Sequence, residues 1–180
     1  GWPIFSCADA TVGYLDGEYQ ILVHRLYYYQ PANPGVGGED IRICVGLRFA
    51  SAALGSAGPA FGITESGEAY VLHNGQYALF KRLVGGWETL IPWTFAPCIN
   101  PGMENNYFVV EREGTNIRAW INGPLLIDIY DSSFTGKLEV GLSACAYEKA
   151  PVDARFDNYA LYTLRLPASL SARNRSPVAS

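Results

Sequence analysis

Histidine is nearly absent from this chain of 180 residues: only His24 and His73 occur, beside a single methionine and four cysteines. His73 lies next to a turn signal, and His24 has no acidic neighbour in sequence to tune it, so neither reads as a catalytic acid or base. No nucleophile elbow, phosphate-binding glycine loop or metal-ligand cluster is written in the chain. The cysteines Cys7, Cys44, Cys98 and Cys145 allow three pairings but show none of the close spacings of a zinc site. Free buried thiols are the plain expectation. A Cys44–Cys145 bridge requires their two strands to be neighbours. Basic residues are also few, with 13 Lys and Arg against 17 Asp and Glu, a formal net charge of -4. That balance leaves no basic stripe for a nucleic-acid partner. No apolar run is long enough to span a bilayer and no signal-peptide pattern stands at the front, so membrane insertion is not expected. Gly1 in first position is expected to be the scar of a cleaved tag or the start of a segment excised from a larger protein.

What the chain does have is turns between short alternating runs. A domain of this size can bury roughly 70% of its unfolded-chain surface. Ile41, Ile43, Val45, Leu47 and Phe49 alternate with Arg42, Cys44, Gly46 and Arg48, the period of a strand with one buried face. Asn74-Gly75 separates the runs 69–72 and 77–80 and supplies the positive-φ pair of a tight hairpin. Residues 107–112 and 117–121 flank a second turn at Gly114, and Asn122-Gly123 leads into a further strand from Leu125. Residues 20–29 alternate loosely, and Tyr27-Tyr28-Tyr29 is expected to expose at least one ring beside a loop. Residues 30–38, with two Pro and three Gly, are expected to be that loop, and the small-residue segment 50–59 a turn or one short helical turn. Runs at 87–93, 137–146 and 154–162 complete about a dozen strands with no helix. That count predicts an all-β, two-sheet antiparallel β-sandwich over residues 2–166. Residues 167–180, rich in Ala, Ser and Arg, are expected to be a disordered tail or a linker.

The strings Gly75-Gln76-Tyr77, Trp87 to Trp93, Asn106 to Val110, Ile121-Asn122-Gly123 and Arg155-Phe156-Asp157-Asn158-Tyr159 resemble the concanavalin A-like lectin/glucanase jelly roll. They are similar more narrowly to its laminin-G-like and 3-keto-disaccharide hydrolase-like branches, the latter a domain of unknown function. The resemblance covers residues 60–164 well and the front loosely. It implies a secreted or cell-surface, extracytoplasmic carbohydrate-binding or adhesion module of a larger or anchored protein, whose partner is a glycan or polysaccharide. It also implies calcium as the cofactor to look for, with Asp128 and Asp131 as ligands, although Asp131-Ser132-Ser133 reads better as a turn held by side chain-to-backbone bonds.

Glycoside hydrolysis needs two carboxylates about 5 to 10 Å apart. The Glu-x-Asp-x-x-Glu run that glucanases of this superfamily use is absent here. Glu111 and Glu113 share a face and read as solvated hairpin carboxylates. A hydrolytic reading draws its acids from Glu111, Glu88 and Asp40. A third reading is a structural, protein-binding module. Asp157 and Asn158 are expected to brace a neighbouring loop, and Trp93 to act as a core wedge. With Phe108, Val110, Ile117, Ala119 and Ile121 inward, the opposite face of that hairpin carries Tyr107, Val109, Glu111, Arg118 and Trp120. A Trp beside Arg, Glu and Tyr suits a sugar, the ring stacking on C–H groups while charged groups bond hydroxyls. The expected ligand site is therefore Trp120, Tyr107, Arg118 and Glu111, with no catalytic residue and no metal ligand.

Overall fold

The alternation at 41–49 is the middle of the molecule. The computed structural model describes residues 1–51, 55–73 and 76–164. Among them fifteen strands follow one another and no helix occurs. They are β1 (Phe5–Ser6), β2 (Ala10–Leu15), β3 (Glu18–Val23), β4 (Tyr28–Ala32), β5 (Gly37–Gly38), β6 (Ile41–Phe49), β7 (Gly55–Ile63) and β8 (Ala69–His73). After them come β9 (Tyr77–Leu83), β10 (Gly86–Thr94), β11 (Asn106–Glu113), β12 (Asn116–Ile121), β13 (Leu125–Tyr130), β14 (Leu138–Ala146) and β15 (Val152–Thr163).

Two antiparallel sheets result. One has eight strands in the order β1-β2-β3-β15-β6-β11-β12-β13, the other seven, β10-β9-β8-β7-β14-β4 with β5 beside β14. Their inner faces form one core. Ile41, Ile43, Val45, Leu47, Phe108, Val110, Ile117, Ala119, Ile121 and Phe156 come from the eight-stranded sheet, and Phe61, Tyr70, Leu72, Leu79, Val140 and Leu142 from the other. This is the two-sheet sandwich the periodicity predicts, and the inward assignments on β11 and β12 hold at every position.

Turn chemistry holds where it can be followed. Asn122 (φ 53°) and Gly123 (φ 112°) make the left-handed turn between β12 and β13. The Asn122 side chain also ties that turn down, accepting from the Tyr107 amide at 2.7 Å and donating to the Cys98 carbonyl at 2.7 Å. Strands β8 and β9 pair antiparallel, with His73 opposite Ala78. The turn expected at Asn74-Gly75 lies outside the described residues, as does the segment 167–180.

Three expectations are corrected, and the condition for a Cys44–Cys145 bridge is not met. Residues 55–59 belong to β7, because small residues in the centre of the seven-stranded sheet are demanded by packing: a Cβ on Gly55 would sit 2.6 Å from Val152. Residues 30–32 belong to β4, an edge strand, where Pro31 costs no ladder bond. Cys44 lies on β6 and Cys145 on β14, in different sheets, and all four thiols are free. Asp157 and Asn158 hold each other rather than a loop. The Asn158 amide donates to Asp157 at 2.7 Å, with Asn158 at φ 54°, and the pair forms the bulge that shifts the register between β15 and β6.

Candidate functional site

The eight-stranded sheet turns a charged face outward. Register sets Glu111 opposite Arg118 and also opposite Arg42, so one carboxylate sits between two guanidiniums from flanking strands. Arg42 donates to Glu111 at 2.8 Å, Arg118 pairs with Glu111 at 3.0 Å, and Arg118 also reaches Glu113 at 3.2 Å. Farther along the same face Arg48 grips Glu18 with two nitrogens, and Arg155 chelates Asp153 at 2.6 and 2.9 Å. Glu111 is thus buried and paired, which corrects its reading as a solvated hairpin carboxylate. Of the four residues expected to form a site, Glu111, Arg118 and Trp120 are in contact here, and Tyr107 lies on the same face. Trp120 sits beneath the Arg118 guanidinium, 5.9 Å from its ring centre, and Tyr107 is 46% exposed along the same strand as Glu111.

The acids of the hydrolytic reading do not gather. Glu111 lies on this face, and Glu88 is on β10 of the other sheet, paired with Lys81 at 2.9 Å. Asp40 is buried below the β11–β12 turn, where it accepts from the Gly114 amide at 2.6 Å. Asp128 accepts from Asn116 at 2.8 Å. Asp131 forms the expected turn by accepting from the Ser133 amide at 2.9 Å, and it is further held by the Tyr70 hydroxyl and by the Lys81 ammonium at 3.2 Å. Burial would raise its pKa. The bonds from Tyr70, Ser133 and Lys81 outweigh that and hold it at about 2. A lysine stands where a cation would bind, and among the described residues no cluster of three or more His, Cys, Asp or Glu comes together.

The seven-stranded sheet is different in kind. Ala57 and Phe61 face the core, so Ser56, Gly58 and Ala60 on β7 face outward, with Gly141 and Ser143 beside them on β14. These are the smallest side chains available, yet they are buried. Rings from the rims cover them. Tyr29 on β4 meets Trp87 on β10 edge to face at 5.0 Å; Phe80 touches Trp87 at 6.4 Å and Trp93 at 5.6 Å; Trp93 reaches Tyr147 at 6.3 Å. Trp87 and Trp93 remain 49% and 42% exposed, so Trp93 is a rim residue rather than a core wedge. A second small apolar cluster of Ala60, Ala69 and Val71, with Tyr29 and Ile63 against it, forms the floor.

At one end of this face the cover stops and a groove of about 830 Å³ opens. Tyr29, Asn33, Glu65, Arg82, Lys137 and Glu139 are among its walls. Arg82 is fixed by donating to the Gly67 carbonyl and lies 5.6 Å over the Tyr29 ring; Asn33 donates to Glu139. Burial pushes the Tyr29 phenol up to about 12, so that ring stays neutral. Glu65, Lys137 and Glu139 are exposed into the opening. Such a wall offers one aromatic surface and a ring of donors and acceptors with balanced charge. It suits a neutral ligand with apolar C–H surfaces and several hydroxyls. In sequence only the Tyr27-Tyr28-Tyr29 run points to this rim, without singling out Tyr29. Arg82 and Glu139 are brought to it by the strand order, which no local motif encodes.

No family model matches the chain, and no curated protein does. Solved structures do match. The carbohydrate binding module CBM66 from Bacillus subtilis aligns with a TM-score of 0.73 at 16% identity, over 91% of this chain and 96% of that one. A Bacillus subtilis protein of unknown function with a galectin-like fold aligns at 0.65 and 12%, over 90% and 89%. GH16 from the Bacteroides ovatus mixed linkage glucan PUL, in complex with a G4G4G3G product, aligns at 0.60 and 9%, over 87% and 86%. At these identities the likeness is one of fold: the chain has a two-sheet jelly-roll β-sandwich. None of the three singles out the laminin-G-like or the 3-keto-disaccharide hydrolase-like branch.

Proposed function

We propose that this chain is a non-catalytic carbohydrate-binding module, extracytoplasmic and part of a larger or anchored protein, whose ligand lies in the groove on the seven-stranded sheet. The observation that carries the reading is the groove itself. It combines an aromatic wall at Tyr29, a fixed guanidinium at Arg82, an Asn33–Glu139 pair, and exposed charges at Glu65, Lys137 and Glu139 in a volume of about 830 Å³. That volume falls within the usual span of small-ligand sites, roughly 300–1,000 Å³. The fold neighbours support the reading, since one is a carbohydrate binding module and another was solved with a saccharide product. Within the superfamily the proposal leans to the laminin-G-like branch, because the acids a hydrolase would need are engaged separately.

A glycan-array binding experiment, run with calcium and again with chelator, tests it. The expected result is saturable binding to a related set of sugars, unchanged by chelator and lost in Arg82→Ala. Silence on the array with folded protein overturns the reading in favour of a structural module, and release of reducing sugar or keto-sugar overturns its non-catalytic part.

A second reading keeps the ligand on the eight-stranded sheet, at Trp120, Tyr107, Arg118 and Glu111. The convergence of these four on one face favours it, as does a buried Arg118 Nε with no hydrogen-bond partner. Loss of binding in Trp120→Ala, with the fold intact, is the result it requires.

A further inference from the structure

The seven-stranded sheet has six strands between and including β10 and β4. Laid flat, five inter-strand spacings of ~4.8 Å would hold its two rims roughly 24 Å apart. The Tyr29 and Trp87 rings, one from each rim, are nevertheless in contact at 5.0 Å. Twist of about 20–25° per strand brings diagonal corners of a sheet toward each other, and the small outward residues Gly58, Ala60, Gly141 and Ser143 put nothing in the way. The outer face is therefore curled enough for one side chain from each rim to meet, and Tyr29 with Trp87 bridges it. Phe80, Trp93 and Tyr147 extend the cover beyond the bridge.

Such a bridge changes what the face can accept. An open trough lets a polymer lie along it and bind through interior units. A groove walled at one side by Tyr29, whose ring is backed by Trp87, does not, because a chain entering past the exposed Glu65 and Lys137 runs into Tyr29 and Arg82. Resting on the carbohydrate-binding reading above, we infer that the groove takes the terminus of a glycan chain, its last units inserted toward Tyr29, and excludes chain interiors. The wall chemistry agrees: Arg82, held over the Tyr29 ring, offers hydrogen bonds that a terminal residue, with its extra free hydroxyls, uses more fully than an interior one.

The test uses the intact chain against a panel of soluble polysaccharides, each before and after partial acid hydrolysis, which multiplies chain ends at constant mass. Hydrolysis that raises the number of ends about tenfold is expected to lower the apparent Kd, expressed by mass, by about tenfold. Short oligomers of the same sugar are expected to compete fully. Binding that stays constant or weakens on hydrolysis means interior units are recognised, which overturns the inference and leaves the carbohydrate reading standing. Binding to no polysaccharide and no oligomer overturns both. Trp87→Ala then asks whether the bridge is the cause. Trp87 is half exposed, and the variant, checked by its thermal transition, is expected to bind unhydrolysed polymer at least about threefold more tightly by mass than the parent does. If Trp87→Ala keeps the parent's full dependence on chain ends, the bridge is not what imposes it.

Discussion

The two outer faces of this sandwich come from the same kind of sheet, yet they use their polar groups in opposite ways. On the eight-stranded sheet Glu111 is shared by Arg42 and Arg118, Glu18 by Arg48 and Arg155, and Asp153 is chelated by Arg155. Nearly every charge there answers another across the strands. On the seven-stranded sheet the centre is small and apolar, and the polar groups gather at one end around a groove, where Glu65, Lys137 and Glu139 are exposed. A lattice of paired charges stabilises a sheet and leaves little to offer a ligand. A concave face with one ring and exposed polar groups around it is the better binder. The distinction lies in the partners of each residue, so residue type alone does not reveal it: both faces own an Arg stacked on an aromatic ring.

The largest effect should come from the groove. Arg82→Ala removes a guanidinium that is already fixed against Tyr29 and Gly67, and glycan affinity measured by titration calorimetry is expected to fall by about 30-fold or more, about 2 kcal/mol. Retention of parent affinity would erase the contrast between the faces.

Acid sharpens the comparison from a third place, the seam where Lys81 and Tyr70 of the seven-stranded sheet hold Asp131. With its folded-state pKa depressed to about 2 from an unfolded value near 3.9, Asp131 contributes stability that is fully present above about pH 4 and lost as pH falls toward 2. The contribution is about 2 kcal/mol. Urea unfolding at stepped pH is expected to show that loss in the parent and a flatter profile in Asp131→Asn; identical slopes would remove this carboxylate from the stabilising set.

Glu111→Ala should cost about 1–2 kcal/mol of stability, less than a fully buried pair would, because Arg42 and Arg118 are partly exposed and regain water. If the charge lattice is structural, binding is unchanged while the unfolding midpoint falls. A loss of binding at constant stability would instead hand the ligand to this face.

How far the letters reach is clear from single residues. Ile41 to Phe49 and the pair of strands around Gly114 are legible because alternation and turn residues are local, and they were enough to set inward and outward positions at Phe108, Val110, Tyr107 and Trp120. Strand β7 was hidden because Gly, Ala and Ser look like a turn until a sheet packs on them. Glu111 looked solvated because its two arginines are 69 residues before it and seven after it; only register joins them. The groove was illegible for the same reason: Tyr29, Arg82 and Glu139 meet through strand order, and the curling that bridges the rims is a property of the whole sheet.

Trp120→Ala carries the smallest expected effect and decides the most. Trp120 lies under Arg118, which Glu111 and Glu113 already hold, so the ring is partly covered by its own neighbour. Removing it forfeits one cation–π contact and some half-buried area, about 1 kcal/mol of stability. Binding is expected to stay within about twofold of the parent, since nothing in the groove on the opposite sheet touches this residue. Measured beside Arg82→Ala on the same glycan, the pair forms a direct contest between the faces. A strong loss in Arg82→Ala alone leaves the ion-paired face as scaffold. A strong loss in Trp120→Ala alone, with an unchanged thermal transition, means that the ring is offered to ligand despite its guanidinium cover, and the eight-stranded sheet is then the binding surface.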